Sequence, residues 1–573
     1  MARIRLARLA RAFLLCSLSC AIHGCGRSPS DAAHPGQRQA KPTAQGGGFF
    51  ADVTAKAGID FVHQLADGKM DNIMESDGAG GAVLDYDNDG LLDIYLVNSG
   101  PAPVLSDVPD GTPRAPNRLY RNRGDGTFED VSKAAGVEGH GFGTAAAAGD
   151  YDNDGYTDLL VVNFGSLILY HNERDGTFMD VTVKAGVHSS QAGISATFLD
   201  IDKDGWLDLF VANYLKYDPA IRVPPGTQAP YPPPLAYEAE FNLLYRNLGN
   251  GTFEDVSEPS GIRIPNHRAM SVAPLDFDLD GDQDLYVSND GTPNLLLVND
   301  GQGHFQDQAL QKGVGFNQFG EAAGSMGATV GDCDGNGLPD LFVTRFGNAS
   351  LYVASPGGFF EDRAQSAGIL DTSSRYTGWG GNFLDVDNDG DLDLFIVNGH
   401  AHFLQPMPSL LFLNDGQGHF TESPGTAGEP VLRPLNARGS LSADFDNDGR
   451  MDLLITTVGG PPVLLANHAP PQGWLTLRLE GSRCNRSGFG AQVRVHSGDR
   501  QQYAEARCPT SYVSQSDTRL HFGLGRSSRA DRIEIRWPSG QVQTLESVPA
   551  NQVVKILEPG VSRWNKATAA SGL

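Results

Sequence analysis

The sequence predicts an all-β protein, a seven-bladed β-propeller followed by a small C-terminal β-domain, and three observations carry this. A nine-residue acidic signature, D-x-D-x-D-G-x-x-D, recurs seven times, once with Asn at its fifth position. Each copy runs on into an apolar stretch of period two, and the half-repeat missing at the end of the array stands at its beginning. The copies start at Asp85, Asp150, Asp200, Asp276, Asp332, Asp385 and Asp444, at intervals of 65, 50, 76, 56, 53 and 59 residues. One supersecondary unit of ~50 residues therefore repeats, with insertions. A second signature follows each loop, first as Asn117-Arg118-Leu119-Tyr120-Arg121-Asn122, then Gly124 to Val131, then Ala135-Gly136-Val137, and it returns near 167–187, 242–262, 294–314, 349–369 and 409–427. Both halves alternate with period two between Gly-rich turns, with no sustained 3.6-residue period, so each unit is expected to be a small antiparallel sheet. After the seventh loop, Pro462 to Asn467 supplies a Leu-rich strand but no Gly-Thr-Phe-x-Asp-Val half. That half is Phe49-Phe50-Ala51-Asp52-Val53-Thr54, with Ala57-Gly58-Ile59. A ring closed by both termini needs this arrangement, whereas an open solenoid would need caps, and closure leaves only short protected edges.

Of the 573 residues, 70 are Gly and 34 Pro, and 9% are aromatic, which excludes collagenous and disordered classes. The net charge of −26 is local, because 27 of the 69 acidic residues stand at the signature positions of the seven loops. Nucleic acid is excluded as a partner, since binding phosphate needs a surplus of Lys and Arg on one face. Residues 1–24 combine Arg3, Arg5, Arg8 and Arg11 with the apolar stretch Ala12 to Leu18, a signal peptide by length. Ile22-His23-Gly24-Cys25 resembles a bacterial lipobox, which makes Cys25 the lipidation site; simple secretion and acylation at Cys20 are the alternatives. No later run approaches the ~18 apolar residues of a membrane helix, so a membrane would be held only through the lipid. Residues 25–48 read as a flexible tether, 49–468 as the propeller, 469–560 as the second β-domain and 561–573 as a tail.

In each loop, carboxylates at positions 1, 3 and 5 can turn inward, the Gly at position 6 permits the tight turn, and the Asp at position 9 returns from the far side. With a backbone carbonyl and water this supplies the six to eight hard oxygens that calcium prefers; magnesium demands stricter octahedral geometry, and zinc would require His or Cys. The expected ligands, for up to seven Ca2+, are Asp85, Asp87, Asp89 and Asp93; Asp150, Asp152, Asp154 and Asp158; Asp200, Asp202, Asp204 and Asp208; Asp276, Asp278, Asp280 and Asp284; Asp332, Asp334, Asn336 and Asp340; Asp385, Asp387, Asp389 and Asp393; and Asp444, Asp446, Asp448 and Asp452. Asn336 makes the fifth loop the weaker site. Carboxylates ~4 Å apart repel by about 4 kcal/mol per pair at an effective dielectric near 20, so four in one turn call for a cation. An EF-hand loop would continue into a helix, whereas Ile94-Tyr95-Leu96-Val97 alternates like a strand. Cys333, between two ligands, reads as a neutral spacer. Cys484 and Cys508 are the pair available for a disulfide, which an exported compartment permits.

These loops resemble the FG-GAP or VCBS repeats, including the propeller of integrin α-subunits, in which such calcium loops join two strands of a blade. From Trp474 onward the chain is similar to the ASPIC/UnbV domain: Gly481 to Gly490 reads G-S-R-C-N-R-S-G-F-G, followed by Ser511-Tyr512-Val513-Ser514-Gln515, His521-Phe522-Gly523-Leu524-Gly525 and Trp537-Pro538-Ser539-Gly540. Together, over residues 49–558, they resemble the cartilage acidic protein family in its bacterial form. The resemblance implies calcium binding and an extracytoplasmic place, and no established reaction.

If the acidic loop joins the first and second strands of a blade, insertions after the second strand fall on the opposite face. The long ones do so: Pro101 to Pro116, Tyr214 to Glu240, and the stretch holding His400-Ala401-His402-Phe403. Loops gathered on a rigid scaffold are where recognition usually resides; the alternative is that these stretches only cover the channel. His400 and His402 could ligate a transition metal or stand in a solvated loop. No G-x-S-x-G, H-E-x-x-H or phosphate loop occurs, so no enzyme is expected. The reading is an exported, monomeric adhesion or binding module for an extracellular protein or glycan, as an outer-membrane or periplasmic lipoprotein or freely secreted, with structural calcium. The alternative is an extracytoplasmic enzyme or biosynthesis accessory whose site lies at the channel mouth, which a cluster of perturbed titratable groups there would favour.

Overall fold

The structure, a computed structural model, describes residues 47–564 apart from 66, 103, 106–114 and 140. The signal sequence, Cys25 and most of the tether and tail lie outside the described residues. Seven sheets of four strands each are formed in sequence order by the repeats. In the first, Gly81–Leu84, Asp93–Leu96, Arg118–Asn122 and Phe128–Asp130 meander antiparallel, with Leu84 opposite Asp93, Ile94 opposite Tyr120 and Asn122 opposite Phe128. The innermost strands that follow are Gly143–Gly149, Gly193–Leu199, Ala269–Leu275, Ser325–Gly331, Gly378–Leu384 and Ala437–Ala443. Each lies beside the next, and Gly81–Leu84 meets Ala437–Ala443, which completes the circle.

Closure is made as the displaced half-repeat requires. Phe50–Asp52 pairs with Val463–Asn467, setting Phe50 opposite Asn467 and Asp52 opposite Leu465. Phe49 N–H donates to Thr426 O at 2.7 Å, His468 N–H to Phe49 O at 2.7 Å, and Val53 N–H to Leu464 O at 2.9 Å. Both phenylalanines are buried, at 7% and 3% exposure. This strand is therefore the fourth of the seventh blade, and no edge is left between the first and the last sheet.

The C-terminal domain packs a three-stranded sheet, with Gly473–Glu480 between Leu520–Gly525 and Gln552–Leu557, against a four-stranded one running Arg500–Glu505, Gln492–Ser497, Arg529–Arg536, Val542–Pro549. Leu475, Leu477, Val493, Val495, Ile533, Ile535 and Trp537 fill the space between them. These are the seven short strands expected. An eighth, Ser514–Gln515, leaves the domain and pairs parallel with Gly81 and Ala82 of the first blade.

That strand belongs to a plug running down the centre of the ring. Gln515 takes the Ala148 N–H on its side-chain oxygen at 2.6 Å and donates back to Ala148 O at 3.2 Å. Ser511 Oγ accepts Gly381 N–H at 3.2 Å, Ser511 O accepts Ser271 Oγ–H at 3.3 Å, and Ser516 Oγ accepts Ser442 N–H at 3.0 Å. The innermost strands make room with glycine. A Cβ on Gly80 would stand 2.3 Å from Val513 O, and one on Gly439 would stand 2.3 Å from Ser514 Oγ. Ser511 to Gln515 is recognisable in the sequence as a family signature, but its place in the centre of the ring is not.

The disulfide expected between Cys484 and Cys508 is absent, and both thiols are free and buried. Cys484 belongs to the core of the C-terminal domain, with Sγ 3.5 Å from Glu558, whereas Cys508 belongs to the ring core, with Sγ 2.9 Å from the side-chain oxygen of Gln515. Separation along the sequence says nothing of Cα distance, and here the two positions serve different cores. No helix among the described residues is long and apolar enough to cross a membrane.

Candidate metal sites

Every acidic loop joins the first and second strands of its blade, with position 9 opening the second. The chain enters through a left-handed residue at position 4, such as Asn88, Asn153, Asn388 and Asn447 (φ 55–58°), and turns at a left-handed Gly at position 6 (Gly90, φ 87°). Asn tolerates this region and Gly is free in it; Lys203 and Leu279 adopt it in the third and fourth loops without that advantage.

The position-1 carboxylate accepts the position-6 N–H, from Gly155 to Asp150 at 2.8 Å, Gly205 to Asp200 at 3.0 Å and Gly390 to Asp385 at 2.7 Å. The position-9 carboxylate is strapped on both sides. Asp93 accepts Tyr86 N–H at 3.1 Å and Asn122 N–H at 2.8 Å, and Asp208 accepts Ile201 N–H at 2.9 Å and Asn247 N–H at 2.7 Å. In the first four loops, one oxygen each from positions 1, 3 and 9 lies within 4.8 Å of the other two: Asp85, Asp87 and Asp93; Asp150, Asp152 and Asp158; Asp200, Asp202 and Asp208; Asp276, Asp278 and Asp284. Position 5 serves the turn itself. Asp89, Asp154, Asp204, Asp280 and Asn336 each accept the N–H two residues on, at 2.8–2.9 Å.

Burial sets the electrostatics, and neighbouring carboxylates add to it. Asp93 and Asp276 are pushed up to about 8, Asp200, Asp340 and Asp444 to about 7, and Asp332 to about 6, while Asp158, Asp208, Asp284 and Asp452 rise well above the ordinary range. Asp85 Oδ1, Asp87 Oδ1 and Asp200 Oδ1 are buried without a hydrogen-bond partner. Convergent, hard, orphaned oxygens fit a calcium-like cation; in the second loop the His171 imidazole also groups with Asp152 and Asp154. The third strand supplies the first three loops with cations of their own: Arg121 to Asp87 at 2.8 Å, His171 to Asp152 at 3.0 Å and Arg246 to Asp202 at 2.6 Å. The matching residues in the other four blades, Val298, Val353, Leu413 and Ala466, carry no charge. Cys333 is buried, which raises its thiol well above the ordinary range and leaves it a neutral spacer.

A latch between blades went unread in the sequence. Asn at the end of the third strand donates through Nδ2 to the position-2 carbonyl of the preceding blade's loop: Asn122 to Phe445 O, Asn172 to Tyr86 O, Asn247 to Tyr151 O, Asn299 to Ile201 O, Asn414 to Cys333 O and Asn467 to Val386 O, all at 2.7–2.9 Å. Ala354 takes that place in the fifth blade. The signal was present, since the Asn recurs in six of seven repeats, but the residue it would touch lies in another blade.

On the opposite face, insertions from three blades meet over the channel. Asn72 Nδ2 donates to Leu105 O at 2.7 Å, and Tyr231 Oη donates to Ala401 O across the mouth. His402 N–H donates to His400 Nδ1 at 3.0 Å and the His402 ring lies 5.3 Å from Tyr231, so both histidines belong to an aromatic cluster. Beneath this roof, Tyr512 of the plug lies tilted by 57° against Trp379 with ring centroids 4.9 Å apart, and the Arg438 guanidinium lies 3.9 Å over the same indole. Tyr214 Oη donates to Asp290 Oδ2 at 2.6 Å, and Asp77 is 1% exposed with Oδ2 unpartnered. Burial pushes Asp290 up to about 6 and Asp77 well above the carboxylate range.

An FG-GAP-like repeat model matches residues 85–161, 150–211, 235–287, 276–343, 332–396 and 385–455, and an ASPIC and UnbV model matches 481–563. Cartilage acidic protein 1 of Mus musculus is 27% identical over 323 residues, 53% of this chain and 47% of that protein. The Homo sapiens protein of that name is 26% identical over 325 residues, covering 53% and 46%. The chain thus spans about half the length of the curated relatives it matches. Among solved structures, an Agrocybe aegerita lectin that recognises non-reducing terminal N-acetylglucosamine aligns with TM-score 0.38 and 18% identity, over 62% of this chain and 84% of that one.

Proposed function

This chain belongs to the FG-GAP-like repeat family and carries an ASPIC and UnbV domain, and on that footing we propose that it is an exported binding module whose ring is held by structural calcium. One observation carries the reading: in four consecutive loops, carboxylate oxygens from positions 1, 3 and 9 converge within 4.8 Å, and some are buried without any donor. The ion would be held by the position-1, -3 and -9 aspartates, where it would offset their mutual repulsion. The family supports an extracellular setting, with Cys25 as the anchor or the chain released. The face opposite the loops is where an extracellular protein or glycan would bind, since Phe346, Phe403, Leu404 and Leu235 stand exposed around its mouth.

A cation at ~100 times its dissociation constant adds about 2.7 kcal/mol per site. The test is a thermal melt with and without chelator, paired with a glycan array and pull-down on the protein starting at residue 26. The expected result is a lower Tm on chelation and calcium-dependent capture; a melt indifferent to EDTA sinks the calcium reading.

The buried polar groups beneath the roof support a second reading, an enzyme or biosynthesis accessory. Asp77 and Asp290 are carboxyls with raised proton affinity beside Tyr214, Tyr512 and Arg438, the kind of grouping used for general acid and base work. Asp77→Asn should abolish such an activity while leaving calcium binding intact; capture and activity both unaffected by it would remove this reading.

A further inference from the structure

The C-terminal domain lies on the face of the ring that carries the acidic loops, and it touches them by two repeated contacts. The first is to position 4. Arg478 Nη2 donates to Asn88 Oδ1 at 3.0 Å, Arg486 N–H to Asn153 Oδ1 at 2.7 Å and Arg519 Nη1 to Asn447 Oδ1 at 2.8 Å. The same asparagines pass their own Nδ2 hydrogens to the next loop, Asn88 to Gly155 O at 2.8 Å and Asn153 to Gly205 O at 2.9 Å. The domain therefore holds residues that themselves link the first loop to the second and the second to the third.

The second contact is to the position-1 carboxylate, always at Oδ2. Arg478 Nη1 reaches Asp85 Oδ2 at 3.0 Å, Asn485 Nδ2 reaches Asp200 Oδ2 at 3.5 Å and Gln492 Nε2 reaches Asp276 Oδ2 at 2.6 Å. The other oxygens of the first two, Asp85 Oδ1 and Asp200 Oδ1, are buried and have no hydrogen-bond partner, and Asp200 as a whole is 4% exposed. A carboxylate with its outer oxygen fixed presents its inner oxygen in one orientation. That is how outer partners of a metal ligand act, and their loss typically weakens metal binding 10–100-fold.

We propose that Arg478, Asn485 and Gln492 are positioning residues for the cation sites of the first, third and fourth loops, so that cation binding and the seating of the C-terminal domain are one coupled equilibrium. This rests on the calcium reading above. Coupling between two binding events is reciprocal: the domain tightens the sites, and a filled site tightens the domain. The ring and the domain then part more readily when calcium is withdrawn.

Gln492 gives the cleanest test, because it is neutral and its removal leaves the net charge of the loop unchanged. Calcium is titrated calorimetrically into the chelator-stripped full chain, wild type against Gln492→Leu, Gln492→Glu and Asn485→Leu, with Gln492→Asn as the variant that keeps the amide. In parallel, hydrogen exchange is followed over Gly473–Glu480, Gln492–Ser497 and Leu520–Gly525 with and without calcium. The expected result is one class of site weakened at least about 10-fold in Gln492→Leu and further in Gln492→Glu, partial recovery in Gln492→Asn, and faster exchange across the domain on chelation. A purely structural role would lower the melting temperature without moving the affinity of one class of site. Asn485→Leu repeats the measurement on another loop if the Gln492 variants do not fold. A wild-type chain that binds no calcium overturns the parent reading; a wild type that binds, with variants of equal affinity, overturns the positioning role, and exchange unchanged by chelation overturns the coupling.

Discussion

Phe50→Ala tests whether the ring is closed by its N-terminal strand. Phe50 is 3% exposed and sits in the outermost strand of the seventh blade, opposite Asn467. Truncating a fully packed Phe costs about 3–5 kcal/mol, transfer and cavity together. With an unfolding entropy near 2.1 cal/mol/K per residue, a fold of ~500 residues loses roughly 1 °C of Tm per kcal/mol, so the variant should melt about 3–5 °C lower. Deleting residues 47–53 also removes Phe49 and its hydrogen bonds to Thr426 and His468, each worth about 1 kcal/mol. The total, on the order of 10 kcal/mol, is comparable with the whole stability of a typical domain. The assay is calorimetry in saturating calcium, with Val183→Ala, at 94% exposure, as a control expected to stay within about 0.5 kcal/mol. A deletion variant that melts cooperatively within about 1 °C of wild type would refute closure by this strand.

Without cation, stability should fall as pH rises from about 4 to about 8, because Asp332, Asp200, Asp444, Asp93 and Asp276 give up their protons near 4 when unfolded but hold them to about 6, 7 or 8 in the fold. Melts in EDTA at pH 5 and pH 8.5 should show the higher Tm at pH 5, and saturating calcium should erase the difference; a flat profile in EDTA contradicts the burial argument. Asn247→Ala strips donors from Tyr151 O and Leu207 O and should cost about 1–3 kcal/mol by denaturant unfolding, a loss that vanishes if those carbonyls do not need it. Reducing agent should leave the Tm unchanged, since Cys484 and Cys508 are free thiols; a drop would restore the disulfide.

The parts of this fold legible in the sequence are those written within one repeat. The loop at Asp85 announces its own turn, strand and buried position-9 carboxylate, and the stray Phe49-Phe50 half announces where the circle shuts. What stayed hidden depends on residues hundreds of positions apart. Gln515 meets Ala148, Gln492 meets Asp276 and Asn122 meets Phe445, and no local pattern foretells such pairs. The fifth-position carboxylates are legible as acidic from spacing alone, and the structure adds that one oxygen of each also accepts an N–H of its own turn. The insertions were expected on one face and stand there, but Tyr231 spends its hydroxyl bridging to Ala401, so part of that face is a roof.

Because the strand that seals the seventh blade is made before the other strands of the ring and its partner Val463–Asn467 after them, a chain emerging from the ribosome cannot complete the circle until most of it has been synthesised. Until then Phe49 and Phe50 have no edge to pair with, and the array stays unlocked and threadable. A message truncated anywhere before codon 467 would release a product with an apolar strand at one end and an unpaired sheet at the other, well suited to linking with its own copies. The order of synthesis thus makes premature termination a hazard greater than the number of lost residues suggests.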